Sequence, residues 1–306
     1  MKITALAGGV GAAKFLTGLS QIANSEDLSV VINTGDDITL FGLYISPDVD
    51  IVTYTLAGVV DDKKGWGING DTFQCLDMLK QFGVDTWFNL GDRDLGTHIY
   101  RTNRLKQGAT LSEVADEIRC SLGVKAKILP MSNDRFETRI RTPAGSLHFE
   151  EYFVKNRCRD DFLGVDFIGG CSSKPAPGVL EAIVNADLVI VCPSNPIVSI
   201  GTILSVEGIK DALKRTNGRV VAVSPIVAGA TIKGPADKML QGLGFEVSAF
   251  GVAEFYADFL DTMVIDIKDS YLKERIERLD LTVTIANTMM ITFQNKIELA
   301  KAVMQV

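Results

Sequence analysis

The sequence predicts an α/β protein: a doubly wound, mostly parallel sheet with an inserted α+β cap region. Three observations carry that reading. The chain opens as strand, glycine loop, helix and second strand, which is a βαβ unit. The same rhythm returns after residue 165, and between about 60 and 165 it gives way to helices and a hairpin-like segment. With 306 residues, 46% of them hydrophobic and 23% charged, the chain can bury a large core, and no Gly/Ser linker, charge block or repeat divides it. A single domain over 1–306 is expected, with about 60–165 as the inserted cap.

The elements follow in order. Ile3 to Ala7 is a buried strand, and Phe15, Leu16, Leu19 and Ile22 fall on one side of the helix after it. A second buried strand, Leu28 to Ile32, ends in Asn33-Thr34-Gly35-Asp36-Asp37, and Leu40 to Asp50 reads as a loop with two carboxylates among apolar residues. Helices are expected around 71–82 and 111–122, the latter opened by a Thr110-x-x-Glu113 capping box. Thr138 to Arg141 and Leu147 to Glu150 alternate around Pro143-Ala144-Gly145-Ser146 as a hairpin does. Strands at 187–192, 219–224 and 262–266, with helices at 178–185, 205–215 and 235–243, resume the wound sheet.

Composition excludes several classes. A net charge of −7 argues against general affinity for nucleic-acid backbones, which needs clustered Lys and Arg. Cys75, Cys120, Cys158, Cys171 and Cys192 are odd in number and never spaced as CxxC, so they are expected to be reduced core or loop residues rather than a disulfide framework or zinc site. His98 and His148 cannot form a multi-histidine metal centre, and neither is expected to be a ligand. Met1 to Leu19 does not read as a signal peptide, because glycines at loop spacing and Lys14 interrupt it, and Pro193 to Pro196 break the most apolar later stretch. A cytoplasmic protein with no membrane partner is expected, a homodimer being the default for such an enzyme.

The chemistry centres on Gly8-Gly9-Val10-Gly11-Ala12-Ala13-Lys14, directly after the first strand. Glycines let backbone N–H groups approach a phosphate, and the helix N-terminus adds partial positive charge. Lys14 stands where a dinucleotide fingerprint has its third glycine, and the GK[ST] of a P-loop is absent, so a diphosphate with Lys14 as counter-charge fits best. Asp36 and Asp37 end the second strand, where they could hold Mg²⁺ or a ribose or simply form an Asx turn. Asp48 and Asp50 could serve as a base or bind a divalent ion. Gly91-Asp92-Arg93-Asp94 offers a planar binder for phosphate or carboxylate, or an arginine paired with its own flanking acids. Ser194 and Asn195 and, further on, Ser224-Pro225 lie at later strand exits, with Lys174 and Lys233 as mobile cations. GxSxG is absent and histidines are few, so positioning and charge neutralisation, the recipe for phosphoryl-type transfer, outweigh covalent catalysis.

Together these residues resemble one family, the 2-phospho-L-lactate transferases of coenzyme F-420 biosynthesis. The likeness includes the glycine loop, Asn33 to Asp37, the run from Leu43 through Asp50 and Thr53 to Gly58, Gly91 to Asp94, Pro193 to Pro196, Ser224-Pro225-Ile226 and Gly251-Val252-Ala253. It implies a Rossmann-like fold and Mg²⁺-dependent transfer of a phospholactyl or phosphoenolpyruvyl-type group from a guanosine diphosphate conjugate. The acceptor would be the ribityl hydroxyl of the deazaflavin 7,8-didemethyl-8-hydroxy-5-deazariboflavin, and GMP would leave. By the same resemblance Asp50 and Arg93 would contact the deazaflavin, and Gly8, Gly9, Val10, Gly11, Ser194 and Asn195 the nucleotide. Asp50, Arg93 and Lys14 would be catalytic, and Asp36, Asp37 and Asp50 are the candidates for Mg²⁺. Ala12 departs from the family pattern, where another glycine is common, without removing an N–H donor. Two readings compete: a non-catalytic regulator binding a nucleotide or nucleotide sugar, and a nicotinamide dehydrogenase, which Lys14 disfavours.

Overall fold

The computed structural model describes residues 1–170 and 172–306, so the expectation for Cys171 lies outside the described residues. Strands β1 (Ile3–Ala7), β2 (Leu28–Ile32), β3 (Ile38–Leu40), β4 (Leu43–Ile45), β5 (Lys127–Pro130), β6 (Glu137–Thr142) and β7 (Gly145–His148) lie in the first half of the chain. They are followed by β8 (Gly164–Ile168), β9 (Leu188–Val191), β10 (Arg219–Val223), β11 (Ile226–Val227), β12 (Ala230–Thr231), β13 (Thr262–Asp266) and β14 (Thr282–Ala286). Seven of them form the central sheet in the order β14-β13-β10-β9-β1-β2-β5. Every pairing in it is parallel, with Ile3 of β1 in register with Leu28 on one side and Leu188 on the other.

That order decides where a ligand belongs. From β1 the chain winds outward through β2 to β5, then returns to β9 on the other side of β1 and winds the opposite way. The strand order therefore reverses between β1 and β9, and a crevice opens beyond their carboxyl ends. Both strands are fully buried, as expected for a parallel sheet covered on each face. Leu6, Val31, Val189 and Val191 enter the core on one face; Ala5, Val30, Ile32 and Ile190 enter it on the other.

Helix α1 (Gly9–Leu19) buries Phe15, Leu16 and Leu19 against the sheet, and the C-terminal helix Phe293–Met304 packs beside it. Helix α2 (Pro47–Leu56) replaces the expected loop. Pro47 at its first position is pre-set for helical φ, and Asp48 and Asp50 in its first turn favour the helix dipole. Helices α3 (Gln74–Gln81), α4 (Asp92–Lys106) and α5 (Leu111–Ser121) follow, the last with the expected Thr110–Glu113 capping box fully formed. The hairpin is present as well, with β6 and β7 antiparallel around Pro143-Ala144 and β8 added on the other side of β6.

One part of the 60–165 stretch does not lie over the sheet: β5 joins the sheet edge beside β2, with Ser29 opposite Lys127. Strand β14, helix α4 and the C-terminal helix carried no clear sequence signal. Cys75 and Cys120 are exposed, Cys158 is half-buried and Cys192 buried, all four free thiols. Among the described residues no helix is long and apolar enough to cross a membrane.

Because Phe15 is fully buried and anchors α1, its truncation to alanine is expected to cost about 3–5 kcal/mol. Denaturant unfolding should show a lower midpoint with an unchanged slope.

Candidate functional site

Beyond the carboxyl ends of β1 and β9 lies a cleft of about 740 Å³. One end is the glycine loop. Gly8 precedes α1 in extended conformation, and Gly9 adopts the left-handed region at φ 68°. A Cβ on Gly11 would run into the carbonyl oxygen of Pro193, so glycine here lets the loop after β1 touch the loop after β9. The first N–H groups of a helix have no partner within it. The Gly9 N–H donates to Asp48 Oδ1 at 2.7 Å, and the Gly8 N–H donates to Ser194 Oγ at 3.3 Å. The N–H groups of Val10 and Gly11 at the first turn are the ones left to face an anion. Lys14 and Lys233 line the cleft close by and make no ion pair among the described residues. The Lys233 ammonium is pushed below its ordinary pKa, first by burial and then by Lys14.

The second feature is a set of crowded carboxylates under the loop. The Asn33 side chain donates to Asp36 Oδ2 at 2.8 Å and to Asp48 Oδ2 at 3.0 Å, while its own oxygen accepts the Gly35 N–H at 2.8 Å in an Asx turn. Burial, then Asp48 and Glu150, raise the Asp36 pKa well above the carboxylate range. Burial raises Asp48 to about 6, and burial followed by Asp48 and Asp37 raises Glu150 to about 8. Asp36 Oδ1 is buried with no hydrogen-bond partner. Three acids thus line the cleft, Asp36 with an unpartnered oxygen, and no lysine or arginine is among the groups that shift them.

The third feature is a corner built by α2 and α4. Asp94, His98 and Arg101 recur at helical spacing along α4, so all three turn inward, and each is at most 7% exposed. Arg101 clamps Asp50 with two nitrogens, Nη1 reaching Oδ2 at 3.0 Å and Nη2 pairing with Oδ1. Burial opposes the charge on Arg101, but Asp50 more than restores it, and the guanidinium pKa is raised. Tyr54 donates to Asp94 Oδ1 at 2.8 Å. Asp50, Asp94 and His98 each place a ligand atom within 4.8 Å of the others, a set that could hold a metal ion. Phe88 packs beside Leu95 of α4 at this corner, and Trp66, Phe149 and Phe153 line other parts of the cleft.

Of the site residues expected from sequence, Gly8, Gly9, Val10, Gly11, Lys14, Asp36, Asp50, Ser194 and Asn195 all line the one cleft. Two do not. Arg93 is exposed, its N–H bound to Asp71 Oδ1 at 2.8 Å and its guanidinium reaching the Asn69 carbonyl at 3.4 Å. Asp37 spends both oxygens on Ser46 (2.6 Å) and Tyr44 (2.9 Å), and burial raises its pKa to about 8. Glu150, Tyr54, Asp94, His98 and Arg101 were not assigned from sequence. Only the Asp94-x₃-His98-x₂-Arg101 spacing could have signalled the last three, and it has meaning only once α4 is known to be a helix.

The family model described as "2-phospho-L-lactate transferase CofD" matches residues 3–299. The chain belongs to that family. It is an enzyme of the transferase class. A 2-phospho-L-lactate transferase of Methanocaldococcus jannaschii is 42% identical over 99% of this chain and 97% of its own. A phosphoenolpyruvate transferase of Streptomyces griseus is 45% identical over 90% of this chain and 89% of its own. A crystal structure of a UPF0052-family protein from Bacillus halodurans shares the fold, with a TM-score of 0.65 at 18% identity over 99% of this chain and 98% of that one. The matched residues 3–299 take in the glycine loop, the acid cluster and the α4 corner.

Two outcomes are expected. Asp37, Asp48 and Glu150 keep protons in the folded protein that the unfolded chain has released. Their contribution to stability is therefore complete below about pH 4 and is lost as pH rises through about 6 to 8. Melting of the metal-free protein should fall across that window, less steeply in Asp37→Asn. Arg101→Leu should cost about 3–5 kcal/mol by leaving Asp50 buried without its partner. Asp50→Asn in the same chain should recover part of that loss in denaturant melts.

Proposed function

We propose that this protein moves a 2-phospho-L-lactate or phosphoenolpyruvyl-type group from a guanosine diphosphate conjugate to the ribityl hydroxyl of 7,8-didemethyl-8-hydroxy-5-deazariboflavin. GMP is released, and the reaction is a step of coenzyme F-420 biosynthesis in the cytoplasm. The observation that carries this is the cleft joining the glycine loop, with Lys14 and Lys233, to the α2/α4 corner, where Asp50 is fixed by Arg101 with Phe88 beside it. The chain is taken to act as one domain, with helices from the 60–165 stretch walling the acceptor end.

The acceptor oxygen attacks the phosphorus that bears the three-carbon unit. A P–O bond forms to the ribityl oxygen, the P–O bond to GMP breaks, and the hydroxyl proton leaves. The Val10 and Gly11 N–H groups and Lys14 oppose the charge that develops on the departing phosphate. Phe88, lining the cleft beside the α4 corner, provides flat apolar surface for the deazaflavin ring. Asp50, with both oxygens held by Arg101, orients the hydroxyl at the cleft wall.

The residues present fit a divalent cation better under the glycine loop than at the α4 corner. Asp36, Asp48 and Glu150 crowd one another without a counter-charge, and Asp36 Oδ1 lacks any partner. At the corner, Arg101 already neutralises Asp50, and Tyr54 binds Asp94. Asp36, Asp48 and Glu150 would therefore hold Mg²⁺, which supplies positive charge to the phosphates of the donor. Asp37, tied to Ser46 and Tyr44, would not take part.

Purified protein given the deazariboflavin, the guanosine-linked donor and Mg²⁺ should release GMP in step with acceptor consumed. Lactyl and enolpyruvyl donors offered in competition identify the three-carbon unit. Binding of a nucleotide without any transfer would favour a regulatory protein instead. Mg²⁺ should raise the melting temperature at pH 7.5 in the wild type and not in Asp48→Asn. Asp50→Asn should raise KM for the deazariboflavin tenfold or more and leave that for the donor unchanged.

A further inference from the structure

We propose that Asp94, not Asp50, is the group that takes the proton from the acceptor hydroxyl. This rests on the transferase reading of the cleft and assigns a step within it that Asp50 is badly placed to perform.

The two carboxylates stand in the same corner, and their partners set them apart. Both oxygens of Asp50 are occupied, Oδ2 by Arg101 Nη1 at 3.0 Å and Oδ1 by Arg101 Nη2. A carboxylate bound on both oxygens by a guanidinium is a fixed anchor, able to accept a further hydrogen bond but poor at receiving a proton beside a permanent cation. Asp94 has one partner of this kind, the Tyr54 hydroxyl on Oδ1 at 2.8 Å. Its Oδ2 accepts no hydrogen bond among the described residues, and it is not one of the buried orphan atoms. Since Asp94 lines the cleft, that oxygen opens onto it.

His98 supports the same assignment. Its Nδ1 faces Arg101 Nη1 at 3.3 Å, and an arginine can only donate, so Nδ1 carries the lone pair and Nε2 the proton. Nε2 lies 3.3 Å from Asp94 Oδ1 but makes no hydrogen bond with it in this conformation. Tyr54 and His98 therefore both address Oδ1, and Oδ2 is left as the receiving atom. His98 acts here as a positioning residue. Apo active sites often show such contacts long or misaligned, to tighten when substrate binds.

In the step itself the ribityl oxygen bonds to phosphorus, its proton moves to Asp94 Oδ2, and the electron pair of the broken P–O bond leaves on GMP. Asp94 then returns the proton to water.

The test is steady-state and single-turnover kinetics of Asp94→Asn, Asp50→Asn and His98→Gln against the wild type, with melting curves to confirm folding. The expected result is a fall of a hundredfold or more in kcat for Asp94→Asn, with both KM values within about threefold. Asp50→Asn should show mainly the rise in acceptor KM, and His98→Gln, which keeps an N–H donor, should retain more activity than His98→Ala. If Asp94→Asn does not fold, Asp94→Glu takes its place, with a single-turnover rate lowered at least tenfold and acceptor binding intact. ¹⁵N-histidine spectra of the wild type, simple with only two histidines, should show His98 protonated at Nε2. A kcat within tenfold of wild type in Asp94→Asn, a collapse of kcat in Asp50→Asn at unchanged KM, or an Nδ1-protonated His98 would each overturn the assignment. A wild-type protein that binds deazariboflavin and donor but transfers nothing overturns the transferase reading itself, while His98 spectra still report on the corner.

Discussion

Asp48 accepts the Gly9 N–H with one oxygen and the Asn33 amide with the other. Those two hydrogen bonds tie the first turn of α2 to the start of α1 and the turn after β2, which the parallel pairing of β1 with β2 already sets side by side. A carboxylate at the N-terminus of a helix is electrostatically at home. Its burial is costly, raising its pKa to about 6, and its charge in turn helps to raise Asp36 and Glu150. The glycine loop consequently has a resident anion on one N–H and a serine on another, and receives a ligand on those that remain. The rest of the cleft is organised around that sharing.

The same tension is settled differently a few ångströms away. Asp50, two residues further along α2, meets a buried arginine and is fixed by it. Asp37 makes no ion pair and is held by two hydroxyls, with Arg101 only a secondary influence. Buried acids in one small region thus have distinct fates according to what faces them: clamped by guanidinium, capped by hydroxyls, or crowded together where a divalent ion would relieve them. Each fate suits a different task in moving a charged phosphate onto a neutral hydroxyl.

Much of the architecture was legible in the residues. The apolar runs at Leu28–Ile32, broken only by Ser29, and at Leu188–Val191 read as buried strands, and the glycines after Ala7 as a turn into a helix. Helix α2 was missed because Asp48 and Asp50 look like loop residues until Pro47 is read as a first helical position. Helix α4 was missed because its inward residues are Asp, His and Arg rather than the apolar stripe that periodicity detects. For the same reason Arg93 drew attention in a polar motif, whereas Arg101, the arginine that reaches the site, sat unmarked two turns later.

By itself the sequence determined the wound α/β sheet, the glycine loop at its carboxyl edge and membership of the transferase family, because apolar periodicity, glycine spacing and a long shared motif are local properties of the chain. The tertiary structure alone decided which acids share a cleft, which of them is neutralised and which oxygen stays open. Those depend on side chains more than 40 residues apart, such as Asp50 and Arg101 or Asp48 and Glu150, brought together in a medium where one missing counter-charge changes the chemistry of the group beside it.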